Sequence, residues 1–518
     1  MALFNQHNRK TNILATSIVG FFYSVVNLIL NFIYRMIFLR ILSVSYLGIN
    51  GLFTNIFSIL SLAELGITSA ISFRLYTPIS EENIEKVGKL MRFFRNIYGI
   101  IMIVILILGL MIFPFLHYFI KDMSEIPSDV NIYVIYVLYL VRTVSSYMYS
   151  YKQTLLSADQ RQYILSLLQM IMNIIIYTSQ ITILIIYRNF TFSLVLGIFA
   201  TIFMNIMCSR WVKHKYMPVF EVKKDLTLDE RKEIYSETRA TMLHKIGGVV
   251  LNGTDNLVLS TFVGVTAAGL YSNYNTITSG LNSILNQLLG NFTSNMGNAH
   301  VQLTPYEGYN LYRKLLFVNL WIAGTATTCL FLLMDDFICI WIGSGMLLDN
   351  LTVISICASF YIQMTRKITT SYTLGCGLFI KDRFRPIVTA LINLAFSIML
   401  VLKIGISGVF WGTVIAYIST VCWREPLILY KYEFKKNTSE YWRTYIKFLA
   451  ITLSAILIGK FFNTKILNDN ISLFLWGLKA LFSISIYMIL AIIANFKTEE
   501  FHYYSKLLLN VIERRRKQ

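Results

Sequence analysis

Charged and amide side chains set deep in apolar sequence are where this chain could do chemistry. Asp255 and Arg142 each lie about ten residues into a long apolar run, about 15 Å deep if the run is helical. Glu64 sits near the middle of another run, and Lys479 about a third of the way into the last. A charge inside a bilayer is costly and marks a cavity, a pairing or a pathway for ions or polar solutes.

Amides form stripes beside these charges. Ser24, Asn27, Asn31 and Arg35 recur at i, i+3, i+7 and i+11, which is one face of a helix. Gly248, Asn252 and Asp255/Asn256 make a second stripe, and Ser279, Asn282, Ser283, Asn286 and Gln287 a third. Tyr139, Ser145, Ser146 and Tyr149 flank Arg142 at helical spacing. The stripes predict a hydrated cavity lined by Arg35, Arg142 and amides. Simpler uses compete with that one. Arg35 could snorkel to the nearer interface, single Asn and Ser residues could glue neighbouring helices, and an Asp255–Arg142 pair could be structural. Lys479 could reach lipid headgroups.

Other chemistries lack their residues. There is no GxxxxGK[ST] phosphate loop for nucleotide hydrolysis. The six cysteines lie in or beside apolar stretches without a CxxC pair and read as buried free thiols, and the six histidines are scattered, so no metal site or cofactor is expected.

The elements that must position these residues follow from composition. Of 518 residues, 56% are hydrophobic and 14% charged, against about 25% charged in a soluble domain. With seven prolines and long Ile/Leu/Phe/Tyr runs rather than alternation, the fold class is an all-α polytopic membrane protein. About fourteen spans are expected, at 12–40, 46–73, 94–117, 131–151, 163–187, 190–210, 241–263, 270–298, 312–334, 350–374, 385–403, 405–429, 442–463 and 471–495. The first run follows Arg9 and Lys10 and is too long for a cleaved signal segment. Of 46 Lys and Arg residues, only Arg40, Lys121, Arg188, Lys403, Lys460 and Lys465 fall on the outer side when both termini are cytoplasmic. Topology and anionic lipid account for the +19 net charge, including the Lys381/Arg383/Arg385 cluster and the tail from Arg514 to Lys517, without nucleic acid as a partner.

A shift of 221 residues lays Phe38–Gly48 on Leu259–Gly269, and Asn31 on Asn252. Each segment is the first hairpin of a half, so the halves are parallel repeats of six spans, an arrangement suited to alternating access between lobes. The expected division is an N-terminal lobe over 1–225, a cytoplasmic amphipathic linker helix over 226–240, a C-terminal lobe over 241–436, and two extra spans with a basic tail over 437–518.

The passage from Arg40 through Ser45-Tyr46-Leu47-Gly48 and Ala63-Glu64-Leu65-Gly66 to Ile71 resembles the start of Wzx-type bacterial polysaccharide exporters. These belong to the multidrug/oligosaccharidyl-lipid/polysaccharide (MOP) exporter superfamily. Asp255-Asn-Leu-Val-Leu-Ser and Gly269-Leu-Tyr-Ser-Asn-Tyr resemble the second lobe of the same family. The resemblance implies a non-enzymatic flippase of the bacterial inner membrane. It would carry undecaprenyl-diphosphate-linked repeat units to the outer leaflet for O-antigen, capsule or exopolysaccharide. Implied partners are that lipid-linked oligosaccharide, a coupling ion (H+ or Na+), the bilayer, and the repeat-unit polymerase and glycosyltransferases. On this footing Arg35, Arg142, Asn27, Asn31, Asn252, Asn256, Asn282 and Asn286 line the substrate cavity, the arginines facing the diphosphate, while Asp255 and Glu64 couple the ion. The alternatives are a cation-coupled drug or metabolite antiporter of the same fold and, in another class, a membrane glycosyltransferase or polymerase using Asp335-Asp336.

Overall fold

The structure, a computed structural model, describes residues 9–64, 67–289, 304–382, 384–466 and 472–516. Among these residues there are helices and short connections and no strand. Nine of the described helices are long and apolar enough to cross a bilayer, and the bent pair Ile132–Tyr147 with Ser150–Ala158 makes a tenth. This is a polytopic all-α membrane protein.

The fourteen expected segments fall on helix wherever their residues are described, apart from joints and a few end residues. Four miss the apolar test for physical reasons. The segment 46–73 is broken by a 3₁₀ turn at Ser61–Glu64, and 350–374 is jointed at Arg366. The other two, 241–263 and 270–298, carry too many polar residues. The end of the latter, Arg383 and Lys517 lie outside the described residues, as do the side chains of Arg514, Arg515 and Arg516.

One compact unit comprises Met1–Ser272 with Pro386–Leu394. It holds α1 (Arg9–Ile41), α2 (Val44–Leu60), α3 (Ile67–Ser80), α4 (Ile84–Ile112), α5 (Ile132–Tyr147), α6 (Ser150–Ala158), α7 (Gln162–Tyr187), α8 (Phe190–Lys215), α9 (Leu228–Phe262) and the start of α10 (Val265–Leu289). On α4, Phe94, Tyr98, Ile101 and Ile105 are buried, while Ile100, Ile103, Ile107 and Leu110 are exposed. A soluble protein rarely leaves such a patch open, whereas lipid covers it. Arg188 takes a left-handed conformation and Asn189 caps Phe192 N at 2.9 Å, which separates α7 from α8 at the expected place. The expected amphipathic linker is not a separate helix. It forms the beginning of α9, a single 35-residue helix that Thr227 and Glu230 open with a capping box.

The second compact unit comprises Asn273–Arg385 with Ala395–Gln518. Its helices are the rest of α10, then α11 (Pro305–Ile342), α12 (Asn350–Thr365), α13 (Lys367–Gly375), α14 (Arg385–Ile404) apart from Pro386–Leu394, α15 (Ile406–Ala416), α16 (Cys422–Leu429), α17 (Ser439–Ile466), α18 (Leu473–Asn495) and α19 (Glu499–Arg516). Gly405 at φ +61° turns α14 into α15, and a Cβ on Gly408 would lie 2.4 Å from the Leu400 carbonyl oxygen, so the hairpin needs both glycines. Tyr309, Tyr312, Tyr372, Tyr430 and Phe434 interlock in the core at ring separations of 5.3–6.0 Å.

Candidate functional site

The repeat places the first feature of the site. A Cβ on Gly48 would stand 1.9 Å from the Val265 carbonyl oxygen, and one on Gly269 would stand 2.3 Å from that of Val44. The 221-residue shift maps Val44 onto Val265 and Gly48 onto Gly269, so the two contacts are the same contact made twice. Side-chain-free glycine is what lets these backbones approach. The corresponding hydroxyls, Ser45 Oγ and Thr266 Oγ1, lie 3.3 Å apart. The N-terminal ends of α2 and α10 thus pair about a local pseudo-two-fold axis.

Away from this pair, polar side chains gather on α1, α5 and α7. Arg35 is 7% exposed and donates from Nη1 to the Ser272 carbonyl and from Nη2 to Ser272 Oγ. Tyr34 and Tyr177 pack with ring centroids 5.5 Å apart, and both lie within electrostatic reach of Arg35 and Arg142. Tyr139, also near Arg142, donates to Asn50 Oδ1. The expected arginines therefore do share one neighbourhood, through tyrosines that amide spacing alone did not single out. Arg35 is sequestered rather than open. Arg142 is exposed and has no carboxylate within ion-pair distance among the described residues. A structural Asp255–Arg142 pair does not form.

The other expected residues separate. Asn27 accepts from Asn173 Nδ2 at 2.9 Å, joining α1 to α7, and Asn31 is half-buried on the same stripe. Glu64 sits in the 3₁₀ turn after α2 and accepts from Tyr98 Oη at 3.2 Å. Among the described residues, one buried carboxylate oxygen of Asp255 has no hydrogen-bond partner. The same is true of the amide oxygen of buried Asn256, which packs on Gly51. The side chains of Asn252 and Gln287 lie outside the described residues. Asn282 and Asn286 both accept from Lys367 Nζ, the former at 2.8 Å.

Lys367 is absent from the expected residues, although Arg366-Lys367 interrupts the apolar run of 350–374 and could have marked it. Its neighbour enters a buried network. Arg366 meets Glu425 at 2.7 and 3.1 Å, Arg385 meets Glu425 at 2.9 Å and also Asp382, and Arg424 reaches Asp382 at 2.8 Å. Glu425 and Asp382 are 1% and 2% exposed, so their charges are compensated internally. Lys479 does not reach out to headgroups: it pairs with Asp336 at 2.7 Å, while Asp335 accepts from Tyr274 Oη at 2.8 Å. The six cysteines are free, and no cluster of His, Cys, Asp and Glu among the described residues could hold a metal ion.

Comparison with known proteins agrees with this architecture. The family model for "Polysaccharide biosynthesis protein" matches residues 13–291, more than half of the chain. No curated protein matches. Among solved structures, the chain is similar to the lipid II flippase MurJ in an inward closed conformation, with TM-score 0.63 and 14% identity over 94% of this chain and 98% of that one. It is similar to an inward-facing multidrug resistance MATE family transporter of the MOP superfamily, with TM-score 0.58 and 14% identity over 80% and 98%. A point mutant of the Vibrio cholerae MATE transporter VcmN gives TM-score 0.59 and 13% identity over 83% and 98%. The chain belongs to the polysaccharide biosynthesis protein family and has the fold of the MOP superfamily.

Proposed function

We propose that the protein flips undecaprenyl-diphosphate-linked oligosaccharide units from the cytoplasmic to the outer leaflet of a bacterial inner membrane. The observation that carries the reading is Arg142, an exposed guanidinium about 15 Å along α5 with no carboxylate beside it among the described residues. Such a charge wants an anion and water, and a diphosphate supplies the anion. Membership of a polysaccharide biosynthesis family supports a glycan on that anion. Transport runs by alternating access, with both termini cytoplasmic and the lobes divided as the repeat divides the sequence. Arg35 backs the site, Asn256 lines it, and Asp255 and Glu64 bind the coupling ion. Whether that ion is H+ or Na+, the unsatisfied oxygen of Asp255 is a place for it.

An antiporter of the same fold is the second reading, favoured by the likeness to MATE transporters. An enzyme gains less support, since Asp335 and Asp336 are engaged by Tyr274 and Lys479. Deleting the gene tests the first reading. Labelled lipid-linked repeat units should remain on the cytoplasmic leaflet, and normal outer-leaflet delivery would overturn it.

A further inference from the structure

Among the described residues, the ammonium of Lys367 has no acid. Arg366, Arg385, Arg424 and Lys479, the other cations of the same compact unit discussed above, each face a carboxylate within 2.9 Å. Lys367, at the joint between α12 and α13, meets two amide oxygens, those of Asn282 and Asn286 on successive turns of α10. An ammonium has three N–H donors, so one remains after both amides are served. Amides orient a cation without neutralising it, so the positive charge is left for something else.

Lys152, near the start of α6 in the other compact unit, shows what a purely structural solution looks like. It is buried, donates to Ser209 Oγ at 2.5 Å, and is enclosed by the rings of Tyr149, Tyr151 and Phe220 at 5.6–5.7 Å. Lys367 is half-buried, and no ring among the described residues covers it. On α10 the partner Asn286 is exposed, and so are the polar side chains Asn275, Ser279 and Ser283 along the same helix. Polar groups exposed at membrane depth face water rather than lipid. A hydrated, amide-oriented, uncompensated ammonium is an anion site, and a compact point charge suits phosphate oxygens.

We propose that Lys367, held by Asn282 and Asn286, binds a phosphate group of the transported lipid-linked substrate. The proposal rests on the flippase reading and adds a cation, Lys367, that the stripes of arginine and amide did not contain.

Titration calorimetry of the purified full-length protein in phosphatidylcholine nanodiscs tests it, with farnesyl diphosphate as the probe and farnesol as the phosphate-free control. Lys367→Gln should weaken binding of the probe by about tenfold or more, the loss expected for one charge-assisted contact, while Lys367→Arg retains most of it. Asn286→Asp supplies an internal carboxylate and should weaken binding just as much while leaving the lysine in place. Variants are compared only where size-exclusion profiles and melting temperatures match the parent. Unchanged binding by both Lys367→Gln and Asn286→Asp would overturn the proposal. So would displacement of the probe by phosphatidylglycerol but not by a polyprenyl diphosphate, which would assign the lysine to a bilayer headgroup. Failure of the two readings is separable. Parent protein that binds the probe through Lys367 but delivers no lipid-linked unit in vesicles removes the flippase, whereas full delivery by Lys367→Gln removes only this site.

Discussion

Ser45 and Thr266, 221 residues apart, face each other with their hydroxyl oxygens 3.3 Å apart. They are equivalent positions of the internal repeat, as are Val44 and Val265, and Gly48 and Gly269. The glycine of each half rests on the valine carbonyl of the other, so this contact is self-complementary in the way a two-fold dimer interface is. With both termini cytoplasmic, as proposed, both hairpin turns lie on the outer side of the membrane.

In the alternating access proposed above, these hairpins part. Ser45→Cys with Thr266→Cys should crosslink under mild oxidation, stop delivery of substrate to the outer leaflet, and regain it on reduction. Mobility on non-reducing gels and an outer-leaflet labelling assay read the two effects. A quantitative crosslink with undiminished delivery would show that the hairpins need not separate.

Arg142 carries the functional reading, so its charge should matter more than its bulk. Arg142→Ala should reduce delivery by about tenfold or more at normal expression, since a charged contact is worth about 1.5–3 kcal/mol. Arg142→Lys should retain part of it. Equal activity of Arg142→Ala and the parent would remove Arg142 from the site.

The Lys479–Asp336 pair fastens α18 to α11 and serves stability. Asp336→Ala leaves a partly buried ammonium without its partner and should cost about 3 kcal/mol. Combining it with Lys479→Met should recover most of the loss. Melting temperatures in detergent measure both, and delivery per folded molecule should be unchanged throughout.

The start of α9 should respond to pH. The backbone N–H of Thr227 holds the Glu230 carboxyl below its ordinary value. A depressed carboxylate stabilises the folded form above the ordinary range and loses that contribution as pH falls through the depressed value. Protection of the first amides of α9, measured as exchange relative to the intrinsic rate at each pH, should therefore fall on acidification. Thr227→Ala should raise their exchange at neutral pH by removing a cap worth about 1 kcal/mol.

Much of the architecture was legible because it rests on local properties. Apolar length marks a span wherever the segment packs, Arg188-Asn189 marks a break, and Gly405 and Gly408 mark a tight hairpin. The repeat register is a comparison of the chain with itself, and the Gly48–Val265 contact reproduces it in space. The sequence also showed that a charge such as Arg142 needed an explanation.

Which charges remain available was decided only by tertiary structure. Lys479 looked free and is paired with a residue 143 positions away. Asn27 looked like cavity lining and joins two helices through Asn173. Lys367 lay inside the expected span 350–374 without being singled out, and it sits between amides from another helix. The reason is physical: a charge is neutralised by whatever lies within a few ångströms of it, and helix packing sets that neighbour without regard to distance along the chain.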